Sequence, residues 1–202
     1  PVAGVLLIGL IMLLINPFVS AINTGLNNFL SSMSEVNKVI LGAILAGMMS
    51  VDLGGPVNKA AYTFGTGMLA EGHYEIMAAV MIGGMVAPLA IALLATFFPK
   101  KLPKKERQAG LLNYVMGLSF ISEGAIPFAS ADPIRVLPSC IVGSAVSGAL
   151  SMAFNCTLMA PHGGIFVLPL IGNWFWYVVA LAIGSVIAMG IMAALKKNIW
   201  EK

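Results

Sequence analysis

From Ile76 to Phe98 the chain runs without a single charged side chain. Crossing the roughly 30 Å hydrocarbon core of a bilayer takes about 20 apolar residues in a helix. Inside lipid every backbone polar group must be satisfied within the spanning structure, so only helices and closed barrels cross. The run is continuously apolar, whereas a barrel strand alternates apolar and polar; the stretch is therefore a membrane helix. The remainder agrees: 59% of residues are hydrophobic and 9% charged, against about 25% charged in soluble domains. Val2 to Ala21, Leu111 to Ala131, Ile134 to Phe154 and Trp174 to Leu195 are further runs of spanning length. The fold class is all-α, a polytopic helical membrane protein.

The charges report orientation. Five of the eleven basic residues lie in PKKLPKKER, Pro99 to Arg107, and Lys196, Lys197 and Lys202 close the chain. Positive charge beside apolar spans marks the cytoplasmic side rather than a nucleic-acid surface. The Lys100–Arg107 loop and the C-terminus are thus expected in the cytoplasm, with Trp174, Trp176 and Tyr177 as an interfacial belt. Cys140 and Cys156 stand in apolar sequence without a CxxC, and are expected as small core residues. Pro1 is followed at once by apolar sequence, without the charged start of a signal peptide. The expectation is a piece of a longer protein, beginning in or just before a membrane helix.

An even number of crossings must separate the two basic stretches, yet three runs of spanning length lie between them. Either an interrupted segment enters and leaves on one side, or the short APHGGIFVLPL, Ala160 to Leu170, makes an extra crossing. Upstream, Val36 to Leu69 is expected to begin and end outside, with Gly54, Gly55 and Pro56 at its centre, which fits a re-entrant hairpin. Such non-helical backbone survives at membrane depth only inside protein or beside a wet cavity.

Those same segments carry the ionisable residues. GLSFISEGAIPFASADPIR, Gly117 to Arg135, holds Glu123, Asp132 and Arg135 between two prolines; DLGGPVNKAAYTFG, Asp52 to Gly65, holds Asp52 and Lys59. A charge at mid-depth costs about 2.5–3.5 kcal/mol on insertion scales and marks a functional site by default. In each island an acid stands four residues before a proline and a cation follows, a pattern that fits a structural repeat. Glu123 has no cation within a helical turn; it is read as accepting a hydrogen bond from a substrate hydroxyl and assisting its proton removal, against a protonated glutamate satisfied by the protein. Asp132 and Arg135, three apart, read as a structural pair at a helix start, Asp132 as N-cap before Pro133. Asp52 and Lys59 stand between brace and site, as does His162 in its Pro-His-Gly-Gly turn. The other histidine, His73, lies in a polar loop, so neither a metal nor another cofactor is expected.

Together DLGGPVNKAAYTFG, GLSFISEGAIPFASADPIRVLPS and APHGGIFVLP resemble enzyme IIC, the membrane subunit of the fructose family of the bacterial phosphoenolpyruvate-dependent sugar phosphotransferase system. The likeness runs over essentially the whole chain. It implies a bacterial inner-membrane permease of the sugar-translocating IIC fold, with re-entrant helices. Its sugar, fructose by default, would be phosphorylated by the phosphocysteine of a IIB domain supplied through IIA, and the assembly would be a homodimer. By motif it puts Ser122, Glu123 and Gly124 in the sugar site, with Asn58, Lys59 and His162, and leaves Asp52, Asp132 and Arg135 to supporting roles. The family's IIC domain is longer at its N-terminus, and the IIB domain with its cysteine is absent. Residues 1–202 thus correspond to the C-terminal part of a IIC domain, which holds no phosphoryl carrier; transfer to the sugar needs IIB. The alternative from the residues alone is an ion-coupled secondary transporter of a small polar solute, using Asp52, Glu123 and Asp132.

Overall fold

The computed structural model describes residues 38–198 continuously, with a few scattered positions before them. The expected first span, Val2 to Ala21, and the loop Ile22 to Asn37 lie outside that continuous part. Seven α-helices follow: α1 (Lys38–Met48), α2 (Pro56–Ala70), α3 (Tyr74–Phe97), α4 (Lys104–Leu118), α5 (Ile126–Ala131), α6 (Pro133–Ala153) and α7 (Trp174–Leu195). Three of them, α3, α6 and α7, are long and apolar enough to cross a membrane.

Helix α3 is the axis. Its side chains are buried almost all the way round, and α1, α2, α4, α6 and α7 all pack on it. Small residues allow this. A Cβ on Gly83 would meet the backbone of Ala46 in α1, and one on Gly148 of α6 would meet the carbonyl of Gly42. Hydroxyls tie the same seams: Ser144 donates to Gly83 O at 2.9 Å, Ser50 Oγ lies 2.7 Å from Ser144 Oγ, and Ser147 donates to Ala180 O at 2.9 Å. Interhelical hydrogen bonds of this kind are worth about 0.6 kcal/mol on average. Cys140 and Cys156 are both buried and unpaired with each other.

The ends of the bundle follow from three polar contacts. Lys38 at the start of α1 pairs with Glu75 at the start of α3, at 3.0 Å. At the other end Lys101 donates to Lys196 O at 2.5 Å, and Lys196 reaches Asp132 at 2.9 Å. The basic stretch after α3, the junction of α5 with α6 and the end of α7 therefore share one end. Two crossings, α6 and α7, separate the basic stretches, and the even count is met.

Two opposed helical hairpins account for the rest. α1 and α2 enter and leave at the Lys38–Glu75 end. α4 and α5 enter and leave at the basic end, so Leu111–Ala131 is no span: it breaks after Leu118, turns through a 3-10 segment at Ser122–Ala125 and returns. The basic run is also less of a loop than its composition implies, because Lys104 already opens α4 behind Pro103. The depths match: α1, 11 residues, is about 16 Å long and α4, 15 residues, about 22 Å, against about 36 Å for the 24 residues of α3. The last turn of α1 and the second tip consequently meet near the middle of α3, Ala46 against Gly83 and Phe120 against Gly84.

The stretch after α6 does not cross either. Thr157–Leu158 pairs antiparallel with Ile171–Gly172 and closes a loop around a 3-10 segment at Gly164–Leu170. Asn173, left-handed at φ 56°, caps this base by donating to Phe154 O and Asn155 O at 3.0 and 3.1 Å.

Candidate functional site

The tip of the first hairpin is built by Leu53 and Gly54, both with positive φ (49° and 111°), before Pro56 opens α2. Proline suits a first helical position, where its missing N–H costs nothing. The orphan N–H groups of that helix start are satisfied by Asp52, whose carboxylate accepts from Val57 N at 2.7 Å and Asn58 N at 3.0 Å. Asn58 in turn donates to Met49 O at 2.7 Å, tying α2 back to the end of α1. Asp52 is thus committed to holding the tip together, and Lys59, one residue on, points away from that lattice into the open.

The second tip meets it. A Cβ on Gly54 would come within 2.9 Å of Glu123 Oε1, so the carboxylate lies across the first hairpin's glycine. The third segment joins through glycine as well: a Cβ on Gly164, at φ 58°, would overlap Leu118 O at the end of α4. His162 is thereby carried to Phe120, their ring centroids 5.0 Å apart.

Where the three segments converge lies a cavity of about 180 Å³, lined by Met49, Gly54, Asn58, Lys59, Tyr62, Phe120, Ile121, Ser122, Glu123 and His162. Five sequence-nominated residues, Asn58, Lys59, Ser122, Glu123 and His162, face one space. Glu123 and Lys59 are exposed, and among the described residues neither side chain has a hydrogen-bond or ion-pair partner. One free anion, one free cation, a buried amide and a hydroxyl, with aromatic carbon on one wall, suit a small neutral polyhydroxy molecule: donors and acceptors for its hydroxyls and no surplus charge to attract an ion.

The other nominated residues stand elsewhere. Gly124 is not in the lining; it packs on α4, where a Cβ would overlap Asn113 Oδ1 and come within 2.6 Å of Met116 Sδ. Asp132 and Arg135 are at the basic end, paired at 3.2 Å. Asp132 holds the N-cap position of α6, but its side chain caps nothing and instead joins Arg135 and Lys196. Burial works against its charge, yet the hydrogen bonds and charges of Lys196 and Arg135 outweigh it and hold the carboxyl below its ordinary value. Asp52 lines a separate cavity of about 190 Å³ with Leu53, Ile126 and Ser130, on the far side of the Gly54–Glu123 contact. Asp52 and Glu123 thus line different cavities while Asp132 lies at the basic end, and no group of three or more metal-ligating side chains occurs among the described residues.

Tyr62, Phe120, Ile121 and Met49 are lining residues that sequence reasoning did not nominate. Only Phe120 carried a usable signal, its place two residues before Ser122 in a segment that already had to turn.

Comparison with known proteins places the chain in a family. The family described as "Phosphotransferase system, EIIC" matches residues 2–143. The chain is 46% identical over 203 residues to the fructose permease IIC component of Bacillus amyloliquefaciens, covering 100% of this chain and 66% of that protein. It is 46% identical over 203 residues to the PTS system fructose-specific EIIABC component of Bacillus subtilis (strain 168), covering 100% and 32%. With the PTS system fructose-specific EIIB'BC component of Vibrio cholerae serotype O1 (strain ATCC 39315 / El Tor Inaba N16961) it shares 50% over 207 residues, 100% and 36%. The chain thus spans between about a third and two thirds of these relatives' length. No solved structure matches it. A bundle of membrane helices with two opposed hairpins, a full-length match to fructose-specific permeases and a family match over most of its residues lead to one conclusion: the chain belongs to the phosphotransferase system EIIC family.

Proposed function

We propose that the chain is the C-terminal part of a IIC domain that binds fructose in the cavity between the hairpin tips and passes it across the bacterial inner membrane for phosphorylation. The observation that carries this reading is the meeting of three separate polar motifs around a free Glu123. Its carboxylate accepts a hydrogen bond from the sugar. At the reacting hydroxyl it takes the proton while the oxygen attacks the phosphorus of a phosphocysteine: the O–P bond forms, the S–P bond breaks, and the thiolate leaves with the electron pair. Asn58, Lys59, Ser122 and His162 hold the remaining hydroxyls, Gly124 lets the Glu123 turn approach α4, and Asp52, Asp132 and Arg135 keep the frame. The phosphocysteine belongs to a IIB partner fed by IIA. Relatives named fructose-specific EIIABC and EIIB'BC components support that partnership and the choice of sugar. We further propose a homodimer with its basic end in the cytoplasm, on the positive-inside argument.

Uptake of labelled fructose into vesicles bearing the full-length permease and its IIB partner tests the reading. Fructose phosphate is expected inside, dependent on the phosphodonor and insensitive to ionophores. Glu123→Gln is expected to slow phosphorylation on the order of a hundredfold or more, as for loss of a general base. Free fructose that accumulates and collapses with an ion gradient contradicts the proposal, and an unimpaired Glu123→Gln protein removes Glu123 from the site.

A further inference from the structure

Phe120 is the most constrained residue of the cavity and has no assigned part in it. It adopts a left-handed backbone, φ 62°, without being glycine. Such a conformation is disfavoured for a bulky side chain, and strain of this kind persists only where its surroundings enforce it. They do so here from three directions. The ring occupies the space a Cβ on Gly84 of α3 would need. The Tyr62 ring from α2 lies at 6.3 Å, tilted 36°, and the His162 ring at 5.0 Å, tilted 55°. The residue is only 6% exposed, and it lines the cavity. One ring thus touches the central helix and both segments that bring Lys59 and His162, two residues before Ser122.

A cyclic sugar has an edge of hydroxyls and a patch of C–H bonds. The polar side chains of the cavity serve the edge. The negative face of an aromatic ring attracts the slightly positive C–H patch, and the Phe120 ring lines the cavity beside the residues that serve the edge. We propose that Phe120, flanked by Tyr62 and His162, is a specificity-determining residue: its ring is the platform on which the C–H face of the sugar ring lies, and Gly84 fixes that platform in place. This rests on the sugar-site reading above and adds what the site selects, a closed ring over an open-chain polyol of like hydroxyl content.

The test compares binding of D-fructose and of D-mannitol, its open-chain reduction product, to the full-length permease. Phe120→Leu keeps an apolar side chain and the same left-handed backbone cost but loses the ring face. Fructose binding is expected to weaken about tenfold, and mannitol binding by under about threefold, from the worth of an aromatic contact. Phe120→Tyr is expected to stay within about threefold of the parent for both ligands. Gly84→Ala, which changes no lining residue, is expected to behave as Phe120→Leu because it displaces the ring; it also decides the matter should Phe120→Leu fail to fold. A fructose-to-mannitol ratio unchanged in Phe120→Leu, or in Gly84→Ala, overturns the platform while leaving the sugar site intact. Absence of fructose binding by the unmodified permease overturns the sugar site itself.

Discussion

Glu123 is poised by a residue that has no side chain. Because Gly54 sits at φ 111° with Glu123 across it, Gly54→Ala is expected to strain the tip by about 1–3 kcal/mol and to push the carboxylate aside. Fructose affinity should fall together with the unfolding temperature, both measurable on the purified permease. The opposite case is Asp132, charged for structural reasons. Its carboxyl titrates lower in the folded protein than in the unfolded chain. The resulting stabilisation is present above the ordinary carboxylate range and is lost as pH falls through the depressed folded value. Thermal unfolding followed downwards in pH should show that loss, and Asp132→Asn should lack it while binding fructose normally. These two kinds of residue differ in how far a sequence betrays them. Glu123, Lys59, Asn58 and His162 stood out because polarity inside an apolar run is expensive and therefore rare. Phe120 was harder to nominate because an aromatic among apolar residues has little contrast; its place two residues before Ser122 was the one cue, and its left-handed backbone is what singles it out.

At the scale of elements, two prolines marked helix starts, while Pro88 and Pro138 stand inside helices. Pro56 and Pro133 each open a helix at the first turn, and α7 fills its predicted run from Trp174 to Leu195. The segment from Leu111 to Ala131 was harder. Its hydropathy is that of a span; charge, glycine and proline marked it as a candidate for interruption, but the place of the break, after Leu118, follows from Phe120 packing on Gly84 and Glu123 on Gly54, which is a tertiary requirement. The α1–α6 seam depends on a related close approach. Gly148→Ala would set a methyl against Gly42 O and Ala46 Cβ. It is expected to cost about 1–3 kcal/mol through overpacking, read as a lower midpoint in thermal unfolding, with fructose affinity little changed in the fraction that remains folded.

For the molecule as a whole, opposed hairpins turn a parity problem into an architecture. Each enters from its own end, and their tips share the mid-depth of α3, so the cavity is bounded by elements that answer to different sides of the bilayer. Orientation then follows from a single labelling experiment. Cysteines at Lys100 and Lys197 should react with a membrane-impermeant thiol reagent only from the cytoplasmic side, and one at Gly72 only from outside, since Gly72 lies at the Lys38–Glu75 end. The two-residue ladder of Thr157–Leu158 with Ile171–Gly172 has a different kind of consequence. It brings the feet of the His162 loop together next to the ends of α6 and α7, while the loop itself is seated on α4 and Phe120 through Gly164 and His162. Glu123 is carried instead on the turn of the second hairpin, facing Gly54 of the first. One wall of the cavity is thus carried on a loop closed at its own base and the other on the opposed hairpins, so each wall can diverge through a stretch of sequence that the other does not share.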